Sequence, residues 1–335
     1  MGRRVGVVAA VLIALAGSLA VYIYNRVAAL DHEEVTDSVH VIYGVGGNVA
    51  VLRTQEGAVI VDTMTFPIQG RRILELAERL GGGPTQAVIN THYHADHTHG
   101  NPAWPAGTRI VATERTRAYL ERFDPGFWEG SAEERAPNEL FTDRHEMRIG
   151  GKTIRSFYLG RGHTGGDLVV LFVEDRVLHT GDLFFHRLYP SIDLEAGGSV
   201  QQWAETLERV LALGFEKVIP GHGPVTDRAR LLEFQRFIAE LAEFAEKSAS
   251  AGKSLDETLA AADFEHDEAF EKMSIPLLFN FDRDFVIRRA WEEASGSVKP
   301  VELSDPESSG RGGDVEVRPV PMNSDQRQTR SGQSQ

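Results

Sequence analysis

The chain has no cysteine in its 335 residues. That absence removes thiolate metal ligands, disulfide bonds and cysteine nucleophiles together, and it suits an oxidising compartment and a reducing one equally. Positive charge is also in short supply. Lys and Arg number 35 against 49 Asp and Glu, a formal net charge of -14. A general nucleic-acid binder needs a basic face, so nucleic acid is excluded as a partner and a small-molecule substrate is expected. From residue 296 onward large apolar side chains nearly vanish among Ser, Gly, Pro, Gln and charge. Such a segment cannot bury enough surface to fold, so 296–335 reads as a disordered tail. The remainder is ordinary globular composition, 41% hydrophobic and 25% charged, enough for one large or two modest domains.

The N-terminus speaks to location. After the basic leader Gly2-Arg3-Arg4, residues 5–24 carry no charge. A signal-peptide apolar region is usually about 7–15 residues, whereas about 20 can span a bilayer. The length favours a retained anchor over residues 1–26. Ser18-x-Ala20 offers a small-residue cleavage site, so the alternative is a removed signal peptide and a secreted protein. Basic residues stay inside, which puts the rest of the chain on the periplasmic or outer side of the membrane. Residues 27–38 then read as a linker, and 39–295 as the folded domain.

Within that domain, apolar stretches at 39–43, 48–52 and 58–62 read as strands, the first two separated by Gly44 to Gly47 as in a hairpin, with Asp62 ending the third. Residues 68–80 carry apolar side chains at helical spacing and stop at Gly81-Gly82-Gly83-Pro84. Residues 86–90 form a further strand. Later strands are expected at 108–113, 145–149, 152–158, 168–173, 176–179 and 217–220, and helices at 114–123, 200–213, 227–248, 255–262 and 285–294. Strands, then a helix, then a strand feeding a polar loop is a theme that occurs twice. It implies an α/β fold with helices packed outside sheets, in two β/α halves.

The organising stretch is residues 91–100, Thr-His-Tyr-His-Ala-Asp-His-Thr-His-Gly, with four imidazoles and a carboxylate in ten residues. Imidazole and carboxylate are donor types that suit zinc. His92, His94 and Asp96 are spaced by two, so an extended backbone would point them to one side, and a turn would bring His97 in from another. Four donors from one loop cannot close around one tetrahedral ion without strain. Splitting them, His92 and His94 to one metal and Asp96 and His97 to a second, relieves this. His163, Asp182 and His222, each beside glycine at a strand end, are the candidates to complete both sets. Asp182 can bridge two cations. A pair about 3.5–4 Å apart holds a hydroxide at neutral pH and stabilises a developing oxyanion.

These motifs resemble those of the metallo-β-lactamase-fold hydrolases: the H-x-H-x-D-H run of His92, His94, Asp96 and His97, then Gly162-His163-Thr164, Gly181-Asp182 and Gly221-His222-Gly223. The likeness spans roughly residues 39–241. It implies an αβ/βα four-layer sandwich with two metals at one edge. His92, His94 and His163 would bind the first zinc, Asp96, His97 and His222 the second, and Asp182 would bridge them. Asp96 would also shuttle a proton to the leaving group, and Asp62 would support the site from beneath. Antibiotic-degrading members generally lack a carboxylate at the Asp182 position, whereas thioesterase, lactonase and phosphodiesterase branches carry it. The expected activity is therefore dinuclear zinc-dependent hydrolysis of an ester, thioester, lactone or amide. The alternatives are a phosphodiesterase and a non-catalytic, membrane-tethered metal-binding accessory protein. The same donors also accept iron or manganese.

Other residues carry plainer expectations. His99 is expected to bond within its loop, and His179 to be a satisfied core histidine. His32, His40, His145 and His266 read as surface residues, and Trp104, Phe184 and Phe185 as core. His186 and Tyr189 stand near the expected cleft. Arg161 precedes a ligand loop, where it either meets an anion or is simply solvated.

Overall fold

Short apolar runs rich in Val and Ile recur in the first third of the chain, and they build one sheet in chain order, its second to fourth strands buried on both faces. The computed structural model describes residues 17–18, 21–22, 24–264, 270–275, 279–301 and 303. Its first sheet comprises β1 (Asp31–Glu34), β2 (Val39–Tyr43), β3 (Val49–Thr54), β4 (Gly57–Val61), β5 (Thr85–Ile89), β6 (Ile110–Thr113) and β7 (Glu139–Phe141). β1 to β4 pair antiparallel and β4 to β7 parallel. The parallel pairs need crossovers, supplied by α1 (Pro67–Gly81), the single turn α2 (Ala95–Thr98) and α3 (Glu114–Phe123). α1 opens with Pro at its first position and ends at Gly82 with φ +74°, the left-handed conformation that glycine takes without steric cost.

The second sheet contains β8 (Arg144–Ile149), β9 (Lys152–Tyr158), β10 (Leu168–Phe172), β11 (Val177–His179), β12 (Lys217–Ile219) and β13 (Thr226–Asp227), in the order β13-β12-β11-β10-β9-β8. Gly150 and Gly151, both at positive φ, make the two-residue turn between β8 and β9. β11 and β12 are parallel, joined through α4 (Val200–Leu211). Then follow α5 (Arg228–Ser250), α6 (Leu255–Ala261), the hairpin β14 (Met273–Ile275) and β15 (Phe279–Phe281), and α7 (Arg283–Ala294).

Alternation sorts the side chains into three apolar layers. Val39, Val41, Leu52, Val59, Val61 and Ile89 face Leu168, Val170, Phe172, Val177 and Ile219 between the sheets. Their neighbours Ile42, Val51, Ile60 and Val88 pack outward on Ile73 and Ala77 of α1. Val169, Leu171, Leu178 and Val218 pack outward on Trp203 and Leu207 of α4 and on Phe234 and Ile238 of α5. Each buried Val, Leu, Ile or Phe among them contributes about 1.5–3 kcal/mol of burial free energy. Helices, sheet, sheet and helices give the four-layer αβ/βα order.

Several expectations are revised. Residues 31–34, within the expected linker, form an edge strand paired with β2. Val301 in the expected tail donates to Glu195 O at 2.9 Å. His40 is buried at 6% exposure and His145 is half-buried on Glu139, so neither is a surface residue. His266 and residues 304–335 lie outside the described residues, as does most of 5–24. Among the described residues no helix is long and apolar enough to cross a membrane.

Candidate metal centre

Parallel pairing places the C-terminal ends of β4 and β5 together, and likewise those of β11 and β12. Asp62 and the His92 loop therefore share one edge, and Asp182 and His222 share another. Hydrogen bonds across the sandwich join the two: Leu168 N to Thr91 O at 2.9 Å, and Asn48 N to Gly221 O at 2.8 Å. The Asn48 amide also donates to Pro220 O and Gly223 O, fixing the His222 loop. Glycine is required where backbone meets ligand. A Cβ on Gly221 would lie 2.0 Å from Asp182 Oδ1, and one on Gly47 2.2 Å from His97 Cε1.

The seven expected ligands converge in two groups. His92, His94, His163 and Asp182 form one, and Asp96, His97 and His222 the other, with donor atoms within 4.8 Å of one another in each. Asp182 faces both. Its Oδ2 lies 3.9 Å from His92 Nε2 and 3.5 Å from His163 Nε2, and its Oδ1 lies 3.2 Å from His97 Nε2 and 3.4 Å from His222 Nε2. His94 turns Nδ1 inward, 2.8 Å from His163 Nε2. Asp96 Oδ2 stands 3.3 Å from His222 Nε2. The backbone route differs from a single extended run: His94 is extended and caps α2, which carries Asp96 and His97. The short helix thus turns the second pair away from the first.

The donor set fits a pair of cations. His92 Nε2, His97 Nε2 and Asp182 Oδ1 are buried without a hydrogen-bond partner among the described residues. Unpaired polar atoms in so dry a place carry a large desolvation cost unless a charge partner lies between them. Burial holds the imidazoles of His92 and His163 below their ordinary range, keeping them neutral as ligands must be. Burial opposes charge on His222 as well, but Asp182 and Asp96 outweigh it and raise its pKa to about 9. The same contest, with Asp182, Asp62 and Asp96 winning over burial, raises His97 well above its usual value. Asp182 resists burial because His222 and His97 hold it well below the carboxylate range. Without a cation, protons on His97 and His222 balance the carboxylates. The side chains of His94 and Asp96 are 24% and 34% exposed, so the cup opens to solvent between them.

A second ring of groups fixes these side chains. Asp62 accepts from Thr91 N and Thr91 Oγ1, both at 2.8 Å, and lies 2.7 Å from His97 Nδ1. Its φ of +66° is a left-handed conformation that Asp tolerates better than most residues. His163 Nδ1 pairs with Ser191 O, and Phe185 stacks on the His222 ring. Asp193 was not among the residues expected at the site. Its Oδ2 lies 3.0 Å from His94 Nε2 and accepts from Tyr93 Oη, while Ala196 N holds its Oδ1. Each carboxylate on the far imidazole nitrogen sets the tautomer that frees the ligand atom.

The other histidines stand apart. His99 pairs with Asp124 and stacks on Phe127. His179 is satisfied by Asn48 O and Gly181 N. His186 binds Pro224 O and joins neither ligand group. Tyr189 packs on Phe237 and Phe270, and Trp104, Phe184 and Phe185 are core.

The chain is similar to known proteins. A sequence profile described as "Metallo-beta-lactamase superfamily" matches residues 42–222, more than half of the chain. The chain is 28% identical over 190 residues to a metallo-beta-lactamase type 2 from Bacillus cereus, covering 56% of this chain and 71% of that protein. It is 30% identical over 150 residues to a hydroxyacylglutathione hydrolase from Methylococcus capsulatus, 43% of this chain and 50% of that one. The solved structure of a stereoselective inverting sec-alkylsulfatase from Pseudomonas sp. superposes with a TM-score of 0.63, at 17% identity, over 79% of this chain and 50% of that one. That last likeness is one of fold.

Proposed function

The chain belongs to the metallo-beta-lactamase superfamily of hydrolases, and from that premise we propose that it is a dinuclear zinc hydrolase of an ester, thioester, lactone or amide. The observation that carries this reading is Asp182, whose two oxygens face two separate imidazole groups. Two divalent cations, when bound, supply an activated water and a positive centre for the developing oxyanion. The chain's own residues do the rest. His92, His94 and His163 would hold the first ion, Asp96, His97 and His222 the second, and Asp182 both. Asp96 lies at the open rim, and His97 and His222 together outweigh burial to keep it ionised. It is placed to accept a proton from the attacking side and pass it to the leaving group. The glutathione thioester named in one relative puts thioesters first among substrates to try.

The test is metal analysis of the purified protein beside a panel of ester, thioester, lactone, amide, phosphodiester and alkyl sulfate substrates, for wild type and Asp182→Ala. The expected result is two zinc ions and carbonyl-centre hydrolysis in wild type, both lost in a folded Asp182→Ala. Turnover of the phosphodiester alone would favour a phosphodiesterase. Two bound zincs with no turnover anywhere would favour the accessory-protein reading. We also propose that residues 5–24 place the domain outside the cytoplasm, tethered or released. Fractionation of cells making the full chain tests this, and recovery in the cytoplasmic fraction would reject it.

A further inference from the structure

A cleft of about 280 Å³ opens on the flank of the His163 loop, lined by Arg115, Tyr119, Tyr158, Arg161, Gly165 and Gly197. None of the seven metal ligands lines it. Arg115 is held where it stands, because Thr113 Oγ1 and Thr116 Oγ1 on either side of it both donate to Gly166 O at 3.0 Å. Its guanidinium lies over the Tyr158 ring, 4.4 Å from the centroid, and has no carboxylate partner among the described residues. A stacked guanidinium keeps its N–H edge free. Arg161 donates Nε to Gly197 O at 2.6 Å and Nη2 to Gly198 O at 3.0 Å, which leaves its other terminal nitrogen. Tyr119 is 4% exposed, yet its hydroxyl has no hydrogen bond among the described residues. A Cβ on either Gly165 or Gly197 would come within 2.5 Å of that hydroxyl, so both glycines leave room around it. Asp167, whose charge reaches both Tyr119 and Tyr158, is engaged by Thr164 N and Thr164 Oγ1. Val301, bonded to Glu195 O, closes one side.

Two guanidinium groups and a hydroxyl without a hydrogen-bond partner among the described residues line one cleft, and all three can donate. We propose that this cleft binds a small oxyanion (a carboxylate, sulfate or phosphate group) through Arg115, Arg161 and the Tyr119 hydroxyl. It is separate from the metal cup, though its wall is shared: Gly165 follows ligand His163 by two residues, and Gly197 follows Asp193 by four.

The experiment is calorimetric titration of the metal-loaded protein with inorganic phosphate, sulfate and acetate, the three anions separating tetrahedral from planar ligands. Wild type is compared with R115Q, Y119F and, because cations also bind anions, D182N. Arg161 supports backbone as well, so the first two variants carry the test, with thermal unfolding to check that they fold. The expected result is saturable 1:1 binding of at least one anion in wild type and D182N, weakened about tenfold or more in R115Q and measurably in Y119F. Binding lost in D182N but unchanged in R115Q and Y119F would place the anion at the metal cup and overturn the proposal. So would the absence of saturable binding by all three anions.

Discussion

Asp62→Asn separates the support of the second cation from that of the first. Asn keeps the shape of the side chain and also tolerates the left-handed backbone at position 62, where φ is +66°. Its carbonyl oxygen can replace Asp62 Oδ1 and accept from Thr91 N. Its amide then stands where Oδ2 now meets Thr91 Oγ1 and, 2.7 Å away, His97 Nδ1. An amide donor facing Nδ1 favours the tautomer protonated on Nε2, and that is the atom pointing at Asp182 and Asp96. A hydrogen bond to a charged group contributes about 1.5–3 kcal/mol. Loss of such outer support lowers metal affinity about 10–100-fold. Chelator-competition titration of both binding steps reads this directly. One step should weaken by that factor while the other moves little, and far-UV circular dichroism should be unchanged. Asp62→Ala adds a strained backbone of about 1–2 kcal/mol and should lower Tm as well. Equal weakening of both steps by Asp62→Asn, or of neither, would refute the reasoning.

Asp193→Ala should weaken the complementary step, the one involving His94, by about 10–100-fold, since it frees His94 Nε2 and Tyr93 Oη together; the same titration checks it. In cation-free protein, His222 with a pKa of about 9 adds stability that is full below its unfolded value and is lost as pH rises through 9. Thermal unfolding of chelator-treated protein should therefore show Tm falling between about pH 6.5 and 9. Zinc affinity should rise over the same interval, by up to about tenfold per pH unit for each proton displaced. Calorimetry in buffers of different ionisation enthalpy counts those protons, and zinc binding at pH 7 without proton release would contradict the assignment.

The convergence of the seven candidate residues was legible because each is a donor type in a short motif beside glycine or at a strand end. The strands were legible as apolar runs and the helices α1 and α4 by their spacing, whereas the four-layer sandwich came from the family resemblance; which way Val59 and Val61 face, opposite to Ala58 and Ile60, shows only in the structure. What escaped notice lacked a local signal. β1 is four exposed polar residues, Asp31 to Glu34, with nothing to alternate. α2 is one turn, too short for any periodicity, though it is what separates the two ligand pairs. Asp193 sits in a Pro- and Gly-rich connection, and its meaning lies in a contact 99 positions away with His94. That contact belongs to the fold rather than to any stretch of sequence.

The central claim is that two cations lie side by side with Asp182 between them. Anomalous diffraction at the zinc edge from crystals grown with zinc tests it most directly. The account predicts two peaks, one within reach of His92, His94, His163 and Asp182, the other within reach of Asp96, His97, His222 and Asp182. Peaks elsewhere, or a single peak on one side of Asp182 at saturating zinc, would contradict it.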